Sequence, residues 1–121
     1  MKRRILVVDD DKTNLRITQL NLSQYGYDVF VAVTGMEAIN LLRQEEVDLI
    51  LIDIEMPIMN GMKTLEMIRK KPGMSRIPVV FLTASADSET VIEACRLEAA
   101  DYVVKPYIPR DLYNRIEKIL G

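Results

Sequence analysis

Short apolar runs alternate along this chain with longer stretches whose apolar positions recur every three or four residues. Arg4–Val8 is apolar after its first residue and shows no polar alternation, the mark of a strand covered on both faces. Lys12 to Tyr25 carries Leu15, Leu20 and Leu22 at helical spacing, and Gly26 stops that helix. Asp28–Val33 reads as a strand. Thr34 then caps a helix, with Glu37 completing a capping box and Ala38, Ile39, Leu41 and Leu42 forming its apolar face. Val47–Ile52 is the most strand-like run of all. Beyond a loop with Pro57 and Gly61, a helix is predicted from Met62 to Arg69, broken by Lys71-Pro72-Gly73. Pro78–Leu82 is a fourth strand, Asp87–Leu97 a fourth helix and Tyr102–Val104 a short fifth strand. Pro109 opens a last helix to Leu120, with Leu112, Ile116, Ile119 and Leu120 inward.

Alternating strands and helices with short links predict an α/β fold, a parallel sheet doubly wound by helices on both faces. The flavodoxin-like (βα)5 arrangement, strand order 2-1-3-4-5, is the natural small solution. It sets the first and third strands side by side at the topological switch point. No linker or second domain interrupts the pattern, so residues 1–121 read as one domain.

Composition narrows the chemistry. A chain of 121 residues, 49% hydrophobic, buries a core without staples. The formal charge of −2 supplies no field for nucleic acid, and the clusters Lys2-Arg3-Arg4 and Arg69-Lys70-Lys71 flank predicted elements as solvated surface. No run approaches a membrane span and no leader precedes the first strand, so no membrane association and a cytoplasmic location are expected. The single Cys95 excludes an internal disulfide, fits a reducing compartment and is expected to be a buried small hydrophobe. The absence of histidine excludes an imidazole base, an imidazole zinc site and an internal phosphohistidine.

Polar residues fall where strands end. Asp9 and Asp10 close the first strand, Asp53 the third, Thr83 the fourth and Lys105 the fifth. Taken singly, each has a bland reading: turn-forming or capping Asp, a hydroxyl at a helix start, a surface lysine. Asp11 alone suffices to cap the first helix, however, which leaves Asp9 and Asp10 to explain. Together the groups converge on the carboxyl edge of one sheet, where open α/β folds bind ligands. Asp53 can attack phosphorus to give an aspartyl phosphate. Asp9 and Asp10 are hard-oxygen ligands suited to Mg2+. Thr83 can hydrogen-bond a phosphoryl oxygen, and Lys105 can pair with Asp53 or with phosphate.

With ILVVDDD at residues 5–11, DLILIDIEMPIMNG at 48–61, PVVFLTA at 78–84 and DYVVKPYIP at 101–109, the chain resembles the response regulator receiver domain of two-component systems. The resemblance spans essentially the whole chain. It implies that Asp53 is the phosphoacceptor and that Asp10, Asp53 and the backbone carbonyl of Glu55 hold Mg2+, or Mn2+ in its place, with Asp9 assisting. It further implies that Thr83 and Lys105 bind the phosphoryl group, that Tyr102 switches rotamer with Thr83, and that the Lys105-Pro106 bond is cis. Implied partners are a sensor histidine kinase or a histidine phosphotransfer protein, a downstream protein target, and a second copy of the phosphorylated chain. The responsive face would be the fourth helix, fifth strand and fifth helix, with Tyr102, Tyr107 and Arg110 on it. Such a domain is a phosphorelay switch and not an enzyme turning over an external substrate.

Glu98 stands where such domains usually carry glycine after the fourth helix, which implies a local difference there. Glu55 and Ser85 flank the path of an attacking water. Three competing readings carry less. A small Mg2+-dependent phosphatase of haloacid-dehalogenase type would need its nucleophile after the first strand and a second Asp where Glu55 stands. A flavodoxin-like FMN binder would need a Ser/Thr/Gly-rich phosphate loop where Asp9-Asp10-Asp11 repels phosphate. A non-phosphorylated adaptor has no use for the acidic cluster. The Met1 start and the end at Gly121 favour a stand-alone regulator over a receiver excised from a larger protein.

Overall fold

A computed structural model describes residues 2–85 and 87–121. Ten elements alternate as the sequence predicts: β1 (Arg4–Val8), α1 (Lys12–Gln24), β2 (Asp28–Ala32), α2 (Gly35–Leu42), β3 (Leu49–Asp53), α3 (Gly61–Arg69), β4 (Val79–Thr83), α4 (Ser88–Arg96), β5 (Asp101–Val104) and α5 (Pro109–Leu120). The strands form one parallel sheet in the order β2-β1-β3-β4-β5.

Strand side chains alternate between two apolar layers because successive Cβ atoms point to opposite faces. Ile5, Val7, Leu49, Leu51, Val80 and Leu82 pack with Leu15 and Leu22 of α1 and Leu112 and Ile116 of α5. Leu6, Val8, Ile50, Ile52, Val79 and Phe81 pack on the other face with Ala38 and Ile39 of α2, Leu65 and Ile68 of α3, and Ala94 of α4. The central strands β3 and β4 are buried throughout, whereas the edge strand β2 is not.

The helix starts follow local chemistry. Asp11 Oδ1 accepts from the N–H groups of Thr13 (2.9 Å) and Asn14 (3.1 Å). Asn60 and Asp87 cap α3 and α4 in the same way, at 2.9 and 2.8 Å. At Thr34 the expected box is altered: its hydroxyl accepts from Glu37 N–H at 3.0 Å, but the Glu37 carboxylate accepts from Val33 N–H, one residue earlier than a capping box requires.

Two sequence expectations fail. Leu20 is half-exposed, and Thr18 takes the inward position between Leu15 and Leu22. Cys95 is exposed, because Ala94 and Leu97 supply the inward positions around it on α4. Among the described residues, no helix is long and apolar enough to cross a membrane.

Candidate functional site

The carboxyl ends of β1, β3, β4 and β5 meet in one acidic hollow. β1 and β3 are hydrogen-bonded neighbours, so Asp9 and Asp53 are brought together at the point where chain direction across the sheet reverses. Carboxylate oxygens of Asp9, Asp10 and Asp53 lie within 4.8 Å of one another. Asp9 and Asp53 are buried, at 3% and 4% exposure, while Asp10 is exposed. Asp53 is therefore walled in at the floor of the crevice.

The neighbours of these carboxylates are fixed by backbone. Asp9 N–H donates to Ala32 carbonyl at 3.1 Å, and Asp9 Oδ1 accepts from Asp11 N–H at 2.9 Å. Asp53 Oδ1 accepts from Glu55 N–H at 3.3 Å and faces Lys105 Nζ at 3.2 Å. The next residue, Ile54, extends the ladder by donating to Leu82 carbonyl at 2.9 Å. Gly61 lies directly under this segment: a Cβ there would sit 2.6 Å from the Asp53 carbonyl oxygen and 2.9 Å from Ile54 Cα. Both are backbone atoms, so only glycine lets α3 start this close to the end of β3. The intervening loop holds Ile58 in the left-handed region (φ 69°), fully exposed beside the hollow.

Electrostatics follow from burial and crowding. Burial pushes the Asp53 carboxyl up to about 6 from its ordinary 3.8; the Lys105 ammonium pulls it back, and Asp9 adds to the rise. For Lys105, burial acts to lower the ammonium, but Asp53, with Asp9 and Glu55 contributing, outweighs it and holds the pKa above its usual value. Three carboxylates against one ammonium leave an excess of negative charge. Closely spaced hard-oxygen donors of this kind suit a divalent cation such as Mg2+.

Thr83 and Lys105 are tied together through the main chain, Lys105 N–H donating to Thr83 carbonyl at 2.8 Å. Thr83 is buried, with its Oγ1 3.1 Å from Glu55 Oε1 and 2.8 Å from Ser85 carbonyl. The Lys105-Pro106 bond is cis, as the resemblance implies. Tyr102 is half-buried against the layer that contains Phe81. Tyr107 lines a surface hollow with Tyr102 and Arg115 while its hydroxyl lies 2.6 Å from Thr18 Oγ1 of α1, and Arg110 is exposed. Glu98 does adopt the left-handed cap (φ 58°) that favours glycine. Two features lay beyond sequence reasoning. Asn60-Gly61 reads only as a turn until the strand–helix approach is visible, and nothing along the chain indicates that the Glu55 side chain folds back onto β4.

The comparisons agree with this geometry. The family model for the response regulator receiver domain matches residues 5–117. The chain is 38% identical over 119 residues to the probable transcriptional regulator ycf27 of Porphyridium aerugineum, covering 98% of this chain and 48% of that protein. Its counterpart from Guillardia theta is 40% identical over 119 residues, with 98% and 46% covered. The chain thus spans about half the length of the curated relatives it matches. Among solved structures, the chemotaxis protein CheY4 of Vibrio cholerae superposes with a TM-score of 0.94 at 26% identity, covering 98% of this chain and 99% of that one. A CheY-like receiver domain protein from Methanospirillum hungatei gives 0.89 at 36% identity, covering 99% and 94%. Motifs, sheet order, the acidic hollow and the family match converge on one assignment: the chain belongs to the response regulator receiver domain family of two-component signalling.

Proposed function

We propose that residues 1–121 form one receiver domain in which Asp53 accepts a phosphoryl group. The observation that carries this reading is the buried Asp53 carboxylate held 3.2 Å from Lys105 Nζ inside the cluster with Asp9 and Asp10. An Asp53 oxygen attacks phosphorus in line and an O–P bond forms. The bond from phosphorus to the donor breaks and the leaving group keeps the electron pair, departing as neutral imidazole, protonated on one nitrogen, from phosphohistidine or as a carboxylate anion from an acyl phosphate. With no histidine in these residues, the donor is phosphohistidine on a sensor kinase or histidine phosphotransfer protein, or a small acyl phosphate.

Asp10, Asp53 and the Glu55 carbonyl would hold Mg2+, or Mn2+ in its place, with Asp9 assisting, and such an ion would supply positive charge to offset that of the phosphoryl oxygens. Lys105 exchanges its partner from Asp53 to a phosphoryl oxygen, and Thr83 donates to another. Thr83 and Tyr102 then shift together and bias the face formed by α4, β5 and α5 between two states. That face engages a downstream protein or a second phosphorylated copy. The domain is a cytoplasmic switch and not an enzyme with an external substrate. Any role in transcription, named for the longer relatives, would be exercised through such contacts, since the domain's charge does not favour direct binding to nucleic acid.

Intact mass after incubation with acetyl phosphate tests the reading. One phosphoryl adduct is expected on the wild type with Mg2+, and none after chelation or in Asp53→Asn. An adduct that persists in Asp53→Asn would overturn it.

A further inference from the structure

Glu55 enters the reading above only through its backbone carbonyl, yet its side chain makes the shortest polar contact in the site. Glu55 Oε1 lies 2.5 Å from Ala84 N and 3.1 Å from Thr83 Oγ1. These are donors on consecutive residues at the carboxyl end of β4, the strand paired with the one that ends at Asp53. A carboxylate oxygen and a phosphoryl oxygen ask the same of their partners: an N–H and an O–H aimed at concentrated negative charge. Thr83 has one hydroxyl proton, which goes either to Glu55 Oε1 or to the Ser85 carbonyl at 2.8 Å. The Ser85 N–H donates in turn to Thr83 Oγ1 at 3.1 Å, so that hydroxyl is tied to Ser85 by both its donor and its acceptor side.

We infer that the Glu55 carboxylate is an internal stand-in for the phosphoryl group, occupying the Ala84 and Thr83 donors in the unmodified protein and leaving them when Asp53 is phosphorylated. The inference rests on the phosphoacceptor reading for its second half, but its first half stands on the contacts alone. Two anions cannot share these donors: Asp53, Asp9 and Glu55 already act together on the one ammonium of Lys105, and a phosphoryl group on Asp53 would add further negative charge there. Phosphorylation and Glu55 release are then linked by one coupling free energy, and whatever weakens the Glu55 contact raises phosphoryl occupancy by the same factor. The same exchange gives the β4–α4 turn two defined arrangements: tethered to the end of β3 through Glu55, or to the phosphoryl group on Asp53.

The test uses Glu55→Ala and Glu55→Asp, the latter keeping the charge but losing reach. In the unphosphorylated, chelator-treated protein, NMR of the Ala84 amide is expected to show an upfield shift and faster hydrogen exchange in both variants. Titration with beryllium fluoride and Mg2+, followed on the Thr83 and Ala84 resonances, is expected to reach half-saturation at a concentration about three- to tenfold lower in both, the scale of one ordinary net hydrogen bond. An unchanged Ala84 amide in Glu55→Ala would overturn the contact. Tighter binding in Glu55→Ala with wild-type binding in Glu55→Asp would assign the effect to charge alone and overturn the exchange. Failure of the wild type and both variants to take up beryllium fluoride would sink the phosphoacceptor reading, a result distinct from any change at Ala84.

Discussion

At the amino edge of the sheet, Arg4 Nη2 meets Glu45 at 2.6 Å, its backbone N–H donates to Asp48 at 2.7 Å, and its guanidinium lies 4.7 Å from the centre of the Phe30 ring. At the carboxyl edge, Lys105 faces Asp53 with Asp9 and Asp10 crowded beside it. The first arrangement matches donor to acceptor and leaves little unbalanced. The second carries more negative charge than its ammonium can neutralise, and burial lifts Asp53 to about 6. Within one sheet, the amino edge is built for persistence, while the carboxyl edge holds an imbalance that only a ligand relieves. Stability and function occupy opposite ends of the same strands.

The strongest way to break that contrast is to spoil the stable edge. Arg69 Nε donates to Leu97 carbonyl at 3.3 Å, and its Nη atoms reach the carbonyls of Ser75, Ile77 and Glu98 at 3.2, 2.8 and 3.1 Å. One half-buried guanidinium thereby gathers the ends of α3 and α4 and the approach to β4. Arg69→Ala is expected to cost about 3 kcal/mol in urea unfolding, through several lost charged hydrogen bonds and the carbonyls left behind. A loss near zero would mean that the amino edge gains nothing from its matched contacts.

Relieving the unstable edge should act in the opposite direction. Between pH 3.8 and about 6 the folded protein keeps a proton on Asp53 that the unfolded chain has already released, so stability falls as pH rises through that window. In chelator-treated protein, Asp53→Asn is expected to stabilise the fold by about 1–3 kcal/mol at pH 7.5, the gain reduced by the Lys105 pairing it forfeits. That gain should fade as pH falls below 6 and vanish near 3.8. A destabilised Asp53→Asn at pH 7.5 would show instead that the pair with Lys105 outweighs burial.

The smallest expected effect refines the picture at the end of α4. Ala99 N–H donates to Ala94 carbonyl and Glu98 N–H to Cys95 carbonyl, both at 3.0 Å, in the pattern of a Schellman cap with Glu98 in the left-handed position. Glu98→Gly is expected to gain about 0.5–1 kcal/mol in thermal unfolding, the left-handed cost relieved less the extra freedom of unfolded glycine.

Continuous burial made Arg4–Val8 and the central strands legible in the sequence, since two covered faces leave no room for polar residues. Topology then carried most of the site: once strand order is set, residues that end strands must meet. What escaped depends on distances that no local pattern encodes. Leu20 and Cys95 look inward by type, but helical geometry gives the inward positions to Thr18 on α1 and to Ala94 and Leu97 around Cys95. The space under Asp53 that demands Gly61 depends on how the loop between them closes, and the fold-back of Glu55 onto Ala84 arises between segments far apart in the chain.

The hydrogen bonds that continue beyond the strands have a kinetic consequence. Asp9, Ile54 and Lys105 each donate to a neighbouring strand past the last ladder rung of their own. Their amides should exchange with solvent only when the central sheet opens, and so share its slow clock. The backbone of the candidate site is therefore expected to be as rigid as the core behind it, and any motion that carries a signal from it would begin in side chains and in the residues that follow β4.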